Sequence, residues 1–218
     1  MTDSLHSAPV APLLDRLFAE ADVAWASLDA MPADERVRLM QDRSDYIAFY
    51  SRLKDQPLPI SRETGALLYM LARHARAATI VEFGTSFGLS TLHLAAALRD
   101  NGGGRLVTCE FEPSKVDRAR ENIAAGGLTD LVEIRIGDAL QTLRADLPDS
   151  IDLVLLDGAK ALYPAILDLL ESRLRPGALL VADNADDSPD YLVRVRSPGS
   201  GYLSTPYGAD VELSMRLG

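Results

Sequence analysis

Acidic side chains stand at or just beyond the end of five short apolar runs in this 218-residue sequence. These side chains are Glu82, Glu110, Asp138, Asp157 and Asp183, the last followed by Asn184. Such runs are typical of buried β-strands, and open α/β sheets bind ligands outside the carboxyl ends of their strands. Carboxylates gathered at one edge repel each other unless a cation or a hydrogen-bond donor binds among them. The pattern therefore predicts a ligand site at this edge.

The first apolar run continues into a glycine turn, VEFGTSFGLS, at residues 81–90. Gly84 allows a tight turn and brings a ligand close to the backbone, Gly88 allows close packing, and Ser90 lies in the first turn of a helix. The spacing differs from the G-x-G-x-x-G pattern that seats the pyrophosphate of a dinucleotide. The turn therefore favours an adenosine ligand without a pyrophosphate.

Three of the acids suit such an adenosine. Glu110 can accept hydrogen bonds from both ribose hydroxyls, and Asp138 offers an acceptor for the adenine amino group. Glu82 can fix the turn by accepting backbone N–H groups. An acceptor for ribose hydroxyls suits a nicotinamide dinucleotide as well as an adenosine without a pyrophosphate. A nicotinamide-dependent oxidoreductase and a non-catalytic nucleotide-binding or scaffold protein therefore stay open as alternatives.

The elements that must position these residues alternate between strand and helix after residue 60. The runs TIVEFG, RLVTCEF, VEIRIG, IDLVLLDG and ALLVADN predict parallel strands, and helical patterns follow the first four of them. The third of these helical patterns is ALQTLRADL, at residues 139–147. Residues 197–218 are typical of two strands joined by a Pro/Gly turn. We predict an α/β, Rossmann-like, doubly wound and mostly parallel seven-stranded sheet with an antiparallel C-terminal strand pair.

The first sixty residues have a different pattern, with apolar residues at helical spacing and no strand-like runs. The segment KDQPLPI at 54–60 interrupts the helices because two of its residues are prolines. Ser61 can cap the next helix. We predict a helical N-terminal extension over residues 1–60, acting as a cap or oligomerisation segment, and a ligand-binding domain over 61–218.

Composition argues against several classes of partner. The formal charge of −10 and the pI near 4.7 disfavour nucleic acids and anionic membranes, which both prefer basic surfaces. The single cysteine, Cys109, excludes an internal disulfide, and the first residues lack a signal-peptide pattern. No apolar run approaches the roughly 18 residues of a membrane span. We expect a cytoplasmic protein that binds neither nucleic acid nor membrane.

Five stretches together resemble a known family. VEFGTSFGLSTLHLAAAL, VTCEFEPSKVDRAREN, IGDALQTL, LLDGAKALY and LLVADN follow, in order and spacing, the class I S-adenosylmethionine-dependent O-methyltransferases of the metal-dependent catechol and caffeoyl-CoA branch. The resemblance covers residues 58–184 strongly and the ends weakly. It implies S-adenosylmethionine and a divalent cation, Mg²⁺ by preference, as cofactors. It also implies a small aromatic acceptor, and we expect a homodimer in which the N-terminal helices form a lid or the dimer contact.

The resemblance implies a cofactor role for each matching residue. Glu82, Gly84 and Ser90 would hold the methionine moiety, Glu110 the ribose and Phe111 one adenine face. The complete set of implied cofactor-binding residues is Glu82, Gly84, Ser86, Ser90, Glu110, Phe111, Asp138, Ala139 and Asp157.

The same resemblance implies a metal site with Asp157, Asp183 and Asn184 as ligands. Two carboxylates and an amide oxygen form a hard donor set, which suits Mg²⁺ rather than zinc. Lys160 would be the general base, with Asp157 beside it among the catalytic residues. The lysine can take a proton from an acceptor hydroxyl if a neighbouring cation lowers the pKa of its amine.

The nature of the acceptor follows less directly. Gly158 and Ala159 are small, and the stretch before the final hairpin is short, so we predict a wide pocket mouth. Trp25, Tyr46 and Tyr207 are interpreted as core or turn residues rather than as pocket walls. A chelating site favours an ortho-dihydroxy aromatic, and a methyltransferase that acts on nitrogen or on another oxygen acceptor is the alternative.

Overall fold

The computed structural model of the chain describes residues 3–28 and 46–218. Within them, seven strands form one sheet in the order β3-β2-β1-β4-β5-β7-β6. The strands are β1 Thr79–Phe83, β2 Arg105–Glu110, β3 Val132–Ile136, β4 Ile151–Leu156, β5 Leu174–Ala182, β6 Tyr202–Tyr207 and β7 Val211–Arg216. Strands β1 to β5 pair in parallel, while β7 pairs antiparallel with both β5 and β6. The predicted sheet and its antiparallel edge are confirmed.

Helices pack against both faces of this sheet. In the described residues they are α1 Val10–Leu28, α2 Tyr46–Arg52, α3 Arg62–His74, α4 Leu89–Asn101, α5 Pro113–Ala125, α6 Ala139–Thr142, α7 Tyr163–Leu170 and α8 Pro189–Arg196. Ser61 caps α3 as predicted, because its hydroxyl accepts the Thr64 backbone N–H at 3.0 Å. Among these helices, none combines the length and hydrophobicity that crossing a bilayer requires.

Successive side chains of each strand point to opposite faces of the sheet, and this divides the core into two halves. Ile80 of β1 belongs to a buried cluster with α1, α3, α4 and α5, whereas its neighbour Val81 belongs to a cluster with α6, α7 and α8. Phe18 of α1 lies in the first cluster, together with Leu92 of α4. Helix α1, which belongs to the predicted N-terminal extension, is therefore part of the main core.

The chain order reverses between the neighbouring strands β1 and β4. Strand β2 lies on one side of β1 and β4 on the other, so the connections leave in opposite directions and open a crevice. The Asp157 backbone N–H, just beyond β4, donates to the Phe83 carbonyl at the end of β1, at 2.8 Å. The glycine turn after β1 therefore lies directly beside the polar residues that follow β4.

Helix α6 and strand β5 differ in extent from the sequence prediction. We predicted a helix over residues 139–147, but α6 ends at Thr142. The Arg135 guanidinium donates hydrogen bonds to the carbonyls of Thr142, Ala145 and Asp146. This stretch therefore turns around the arginine instead of continuing the helix. Strand β5 starts at Leu174, before the predicted ALLVADN run, and its pairing with β4 shifts register there.

Helix α8 was not predicted from the sequence. Its Tyr191 and Val195 are four residues apart, are both buried, and pack with α7 in the second core cluster. The remaining part of the predicted N-terminal helical pattern, residues 29–45, lies outside the described residues.

Candidate active site

The turn after β1 needs glycine at Gly84 for two reasons. Its φ is +104°, and a Cβ there would lie 2.7 Å from the Asp157 carbonyl oxygen. Ser86 also has a positive φ, of +47°, and its backbone N–H donates to Glu110 Oε2 at 2.9 Å. Gly88 has a φ of +86° and caps α4, while a Cβ there would meet α5 only at ordinary contact distance. Backbone conformation therefore explains Gly88 better than close packing does.

Glu110 joins the turn after β1 to the end of β2. Besides the Ser86 N–H, its carboxylate accepts the backbone N–H groups of Phe111 and Glu112, both at 3.0 Å. Burial raises the pKa of Glu110, and these N–H groups with the Lys115 charge act against that rise. The protein thus fixes this carboxylate at the edge of the crevice before any ligand arrives.

Glu82 is fully buried beneath the first turn of α4. Ser90 Oγ donates to its Oε1 and Thr91 Oγ1 to its Oε2, each at 2.6 Å. Burial raises the pKa of Glu82 to about 7. We expected backbone N–H donors, so that expectation is corrected: side-chain hydroxyls hold this carboxylate. Glu82 and Ser90 stand behind the crevice wall, and their contact with a methionine moiety stays a prediction.

Asp138 caps α6 and also meets the N-terminal part of the chain. Its Oδ1 accepts the Leu140 N–H at 2.9 Å, and the Tyr46 hydroxyl of α2 bonds to the same carboxylate. Burial and this hydrogen bond raise the pKa of Tyr46 to about 12. Tyr46 packs against the second core cluster, as interpreted, and also forms a wall of the crevice, whereas Tyr207 lies on β6 and is exposed. The Trp25 side chain lies outside the described part of the structure.

The crevice encloses about 650 Å³, counting space open to solvent. It collects most of the predicted cofactor-binding residues on its walls, namely Gly84, Ser86, Glu110, Phe111, Asp138, Ala139 and Asp157. Tyr46 and Tyr50 of α2 add an aromatic side. We refer to this space as the cofactor cavity.

Gly158 has a role that the sequence did not indicate. A Cβ at this position would lie 2.5 Å from the Phe83 ring, so the glycine makes room for that ring rather than for a ligand. Phe83 itself lines the cofactor cavity. The expectation that Gly158 widens the mouth is corrected, because Phe83 fills the space that the missing side chain leaves.

Lys115 is a cavity residue that sequence reasoning missed. It is only 4% exposed, and its Nζ lies 5.9 Å from the centroid of the Phe87 ring. Burial lowers the pKa of this lysine, against the charges of Glu110 and other acids. A signal was present in the sequence, because Lys115 falls on the face of α5 that also carries the buried Ala119.

An ion pair lies where β4 ends. Lys160 Nζ is 2.9 Å from Asp157 Oδ1, and the lysine is only 3% exposed. Burial acts to lower the pKa of Lys160, but the charges of Asp157 and its neighbours outweigh it and raise that pKa well above its ordinary value. The charged form of Lys160, which cannot act as a base, is therefore favoured in the protein alone.

Asp157 also contacts Asp183 at the end of β5. Burial raises the pKa of Asp157, and burial together with the Asp157 charge raises the pKa of Asp183 to about 8. The two carboxyl groups share a hydrogen bond, so one proton stays between them near neutral pH. Two buried carboxylates that hold a proton in this way form a site for positive charge.

A second cleft adjoins the cofactor cavity at these carboxylates. Asp183 and Asn184 line it from the end of β5, and Asp210 lines it from the β6–β7 turn. Phe18 of α1 and Ile60, just before α3, close the other side. We refer to this space as the acidic cleft. Lys160 and the predicted metal ligands thus cluster where the cavity and the cleft meet.

Comparisons with known proteins agree with this arrangement. Residues 81–185 match the profile of a methyltransferase domain family. The chain is 36% identical over 130 residues to a catechol O-methyltransferase of Niastella koreensis, which is 58% of each protein. It is 32% identical over 174 residues to catechol O-methyltransferase B of Danio rerio, which is 76% of this chain and 65% of the relative. The matches thus span less than two thirds of these relatives' lengths.

Solved structures extend the similarity to nearly the whole fold. The O-methyltransferase TomG of Streptomyces achromogenes, solved with S-adenosylmethionine and involved in tomaymycin synthesis, is 28% identical with a TM-score of 0.64. That match covers 91% of this chain and 96% of TomG. This chain is therefore similar to O-methyltransferases over most of its length, and to catechol O-methyltransferases over its central part.

The residues of this site fit both groups that the resemblance implies. Gly84 and Ser86 bring the turn after β1 to the wall of the cavity, and Glu110 is a prepositioned acceptor, as an adenosine-type ligand requires. For a cation, Asp157 and Asp183 bring two hard oxygen donors and Asn184 an amide oxygen. Among the described residues, no three His, Cys, Asp or Glu side chains converge at metal-ligand spacing, so the amide would be needed as the third ligand.

Proposed function

We propose that this protein transfers the methyl group of S-adenosylmethionine to a hydroxyl group of a small catechol-type aromatic acceptor, with the help of a divalent cation. One observation carries the proposal: the cofactor cavity and the acidic cleft meet at Asp157, which faces the cavity and contacts Asp183 of the cleft. Donor and acceptor can therefore be held side by side. The relatives named catechol O-methyltransferase support this acceptor class.

The cavity residues would bind and orient the methyl donor. When bound, S-adenosylmethionine supplies a methyl group that its sulfonium already activates. Glu110 would accept the ribose hydroxyls and Asp138 the adenine amino group, while Gly84 admits the ligand close to the backbone. Tyr46 and Tyr50 would cover the cavity from α2 and exclude water, which favours methyl transfer over side reactions.

Asp157, Asp183 and Asn184 would hold the cation, for which Mg²⁺ suits their oxygen donors. When bound, a divalent cation would make an adjacent hydroxyl group more acidic and orient it. The shared proton of the two carboxyl groups supports this assignment, because a cation would replace it with a better charge match. The cation would also remove the repulsion between these two buried carboxylates.

Lys160 would then accept the proton of the acceptor hydroxyl at its Nζ. S-adenosylmethionine held by the cavity residues would supply the methyl group to the acceptor oxygen and would leave as S-adenosylhomocysteine, its sulfur keeping the electron pair of the broken carbon–sulfur bond. Lys160 can accept a proton only when it is neutral. The Asp157 charge is the main cause that raises the pKa of Lys160, so another positive charge would have to balance Asp157 before the lysine could lose its proton. No covalent enzyme intermediate is required.

The test compares a catechol with its monohydroxy analogue, with Mg²⁺ and after chelation by EDTA, using release of S-adenosylhomocysteine as the readout. We expect the catechol to have a kcat/KM at least roughly 100-fold higher, since the analogue loses one aligned polar contact. EDTA should abolish turnover and leave calorimetric binding of S-adenosylhomocysteine unchanged. Equal rates for the pair, methylation on nitrogen, or full activity in EDTA would contradict the proposal.

Calorimetry with NAD provides the control for the alternative cofactor. We expect no NAD binding, because the turn lacks the dinucleotide spacing. A homodimer, a cytoplasmic location and the division at residue 60 remain parts of the proposal. Gel filtration with light scattering would test the dimer.

A further inference from the structure

The β6–β7 hairpin places an additional acid beside the acidic cluster. The last pair in the β5–β7 ladder joins Ala182 to Glu212. Because the strands are antiparallel, two steps onward along β5 and two steps back along β7 set Asn184 opposite Asp210. The Ala185 N–H donates to the Asp210 carbonyl at 2.8 Å and fixes this register beyond the strand ends.

The side chains of these opposed residues also meet. Asn184 Nδ2 donates to Asp210 Oδ2 at 3.2 Å. A carboxylate can only accept, so Asp210 selects the NH₂ end of the amide and leaves Asn184 Oδ1 for a different partner. Without this contact, either end of the amide could turn toward Asp183.

The backbone at Asn184 adds a second constraint. Its φ and ψ are 48° and 45°, in the left-handed region, and it starts a short 3₁₀ turn at residues 185–187. No side-chain hydrogen bond caps that turn, so the amide is not used within its own segment. The contact with Asp210 is therefore what orients it.

We propose that Asp210 is a positioning residue of the cation site, which holds Asn184 so that its amide oxygen serves as the third ligand. This inference rests on the proposed function, because it needs a divalent cation at Asp157, Asp183 and Asn184. Partners that orient ligands from behind typically change metal affinity by about 10- to 100-fold when they are removed.

The experiment measures Mn²⁺ binding by calorimetry in the full chain saturated with S-adenosylhomocysteine. Asp210→Ala should weaken Mn²⁺ binding roughly 10- to 100-fold. Asp210→Asn can still accept the Asn184 N–H through its own amide oxygen, so its affinity should stay within about threefold of the wild type. The matched control is Asp186→Ala, which removes an exposed acid two residues from Asn184 and should leave binding unchanged.

The outcomes separate the two claims. If the wild type itself fails to bind Mn²⁺, the proposed function is wrong. If the wild type binds and Asp210→Ala binds equally well, Asp210 has no positioning role. An Asp210→Asn variant as weak as Asp210→Ala would show that charge, not orientation, is responsible, and would overturn the inference. Affinity for S-adenosylhomocysteine reports folding in each variant, and Asp210→Ser replaces the alanine variant if that one does not fold.

Discussion

The cofactor cavity and the acidic cleft use acidic residues in opposite ways. In the cavity, the carboxylates of Glu110 and Asp138 are satisfied by donors of the protein: backbone N–H groups for Glu110, and the Leu140 N–H and the Tyr46 hydroxyl for Asp138. At the cleft, Asp157 and Asp183 share a proton and the single charge of Lys160. The cavity is thus prepared for a ligand, whereas the two carboxyl groups at the cleft depend on a shared proton and on Lys160 for their charge balance.

This difference indicates which region binds and which reacts. Prepositioned acceptors recognise a ligand without a large reorganisation. Carboxyl groups with strongly shifted pKa values, by contrast, are typical of sites where protons are transferred and charge develops during a reaction. Substitutions at the cleft should therefore lower kcat, and substitutions in the cavity should weaken cofactor binding.

The largest effect should come from Lys160→Ala. We expect kcat to fall roughly 10²- to 10⁴-fold, the usual range for loss of a general base, while S-adenosylhomocysteine affinity changes little. Stopped turnover assays and calorimetry measure the two quantities separately. Lys160→Arg keeps a positive charge beside Asp157 but cannot serve as a base, so it should be similarly slow. A wild-type rate in either variant would remove the base role.

A smaller effect is expected from Glu110→Ala in the cavity. Cofactor affinity should fall by about 1.5 to 3 kcal/mol, because hydrogen bonds to a charged group are lost and three backbone N–H groups lose their acceptor. Calorimetry with S-adenosylhomocysteine measures the change. Glu121→Ala, which removes an exposed acid from α5, is the matched control. Unchanged affinity in Glu110→Ala would break the assignment of the cavity to the cofactor.

The smallest effect concerns Glu82, which lies behind the cavity. Its pKa is about 7 in the folded protein and near 4.5 when exposed, so the folded state binds the proton more tightly. The free energy of unfolding should therefore fall as pH rises between these values, by up to about 1.4 kcal/mol per pH unit. His93 has its pKa lowered to about 4 and opposes this trend only below about pH 6.5.

Urea unfolding at several pH values from 6.5 to 8 isolates the Glu82 contribution. Glu82→Gln keeps the size and one acceptor of the side chain but cannot titrate, so its stability should fall less steeply than that of the wild type. The difference between the two slopes belongs to Glu82, because other titrating groups are common to both proteins. Parallel slopes would mean that this carboxyl group stays ionised when buried.

The sequence predicted the parallel strands well because each of them is short, rich in β-branched residues or leucine, and followed by an acidic residue or a glycine at or near its end. It predicted most of the cavity for the same reason, since parallel strands bring Gly84, Glu110 and Asp138 to one edge. Helix α8 escaped prediction because only its tertiary packing buries Tyr191 and Val195. The predicted helix α6 was too long because Arg135, on the preceding strand β3, donates hydrogen bonds to the carbonyls of Thr142 and Ala145.

Pairwise geometry and burial were beyond the reach of the sequence. Asp210 joins the cleft through the β5–β7 register, which no local pattern encodes. The pKa of Lys160 depends on a balance between burial and opposing charge, so its direction could not be inferred from spacing. Tyr46 reaches Asp138 from a segment separated by ninety-odd positions in the chain, and its place in the wall followed only from the fold.

The contact between Gly158 and Phe83 has a consequence for engineering the ligands that the cofactor cavity can accept. Any side chain at Gly158 would collide with the Phe83 ring, which lines the cavity, so substitutions there would force that ring to move. A library aimed at bulkier ligands should instead vary Phe83, whose truncation would enlarge the cavity without disturbing the backbone at Gly158. Phe83, at the end of β1, is thus the useful position for redesign, although Gly158 is the residue that looks permissive in the sequence.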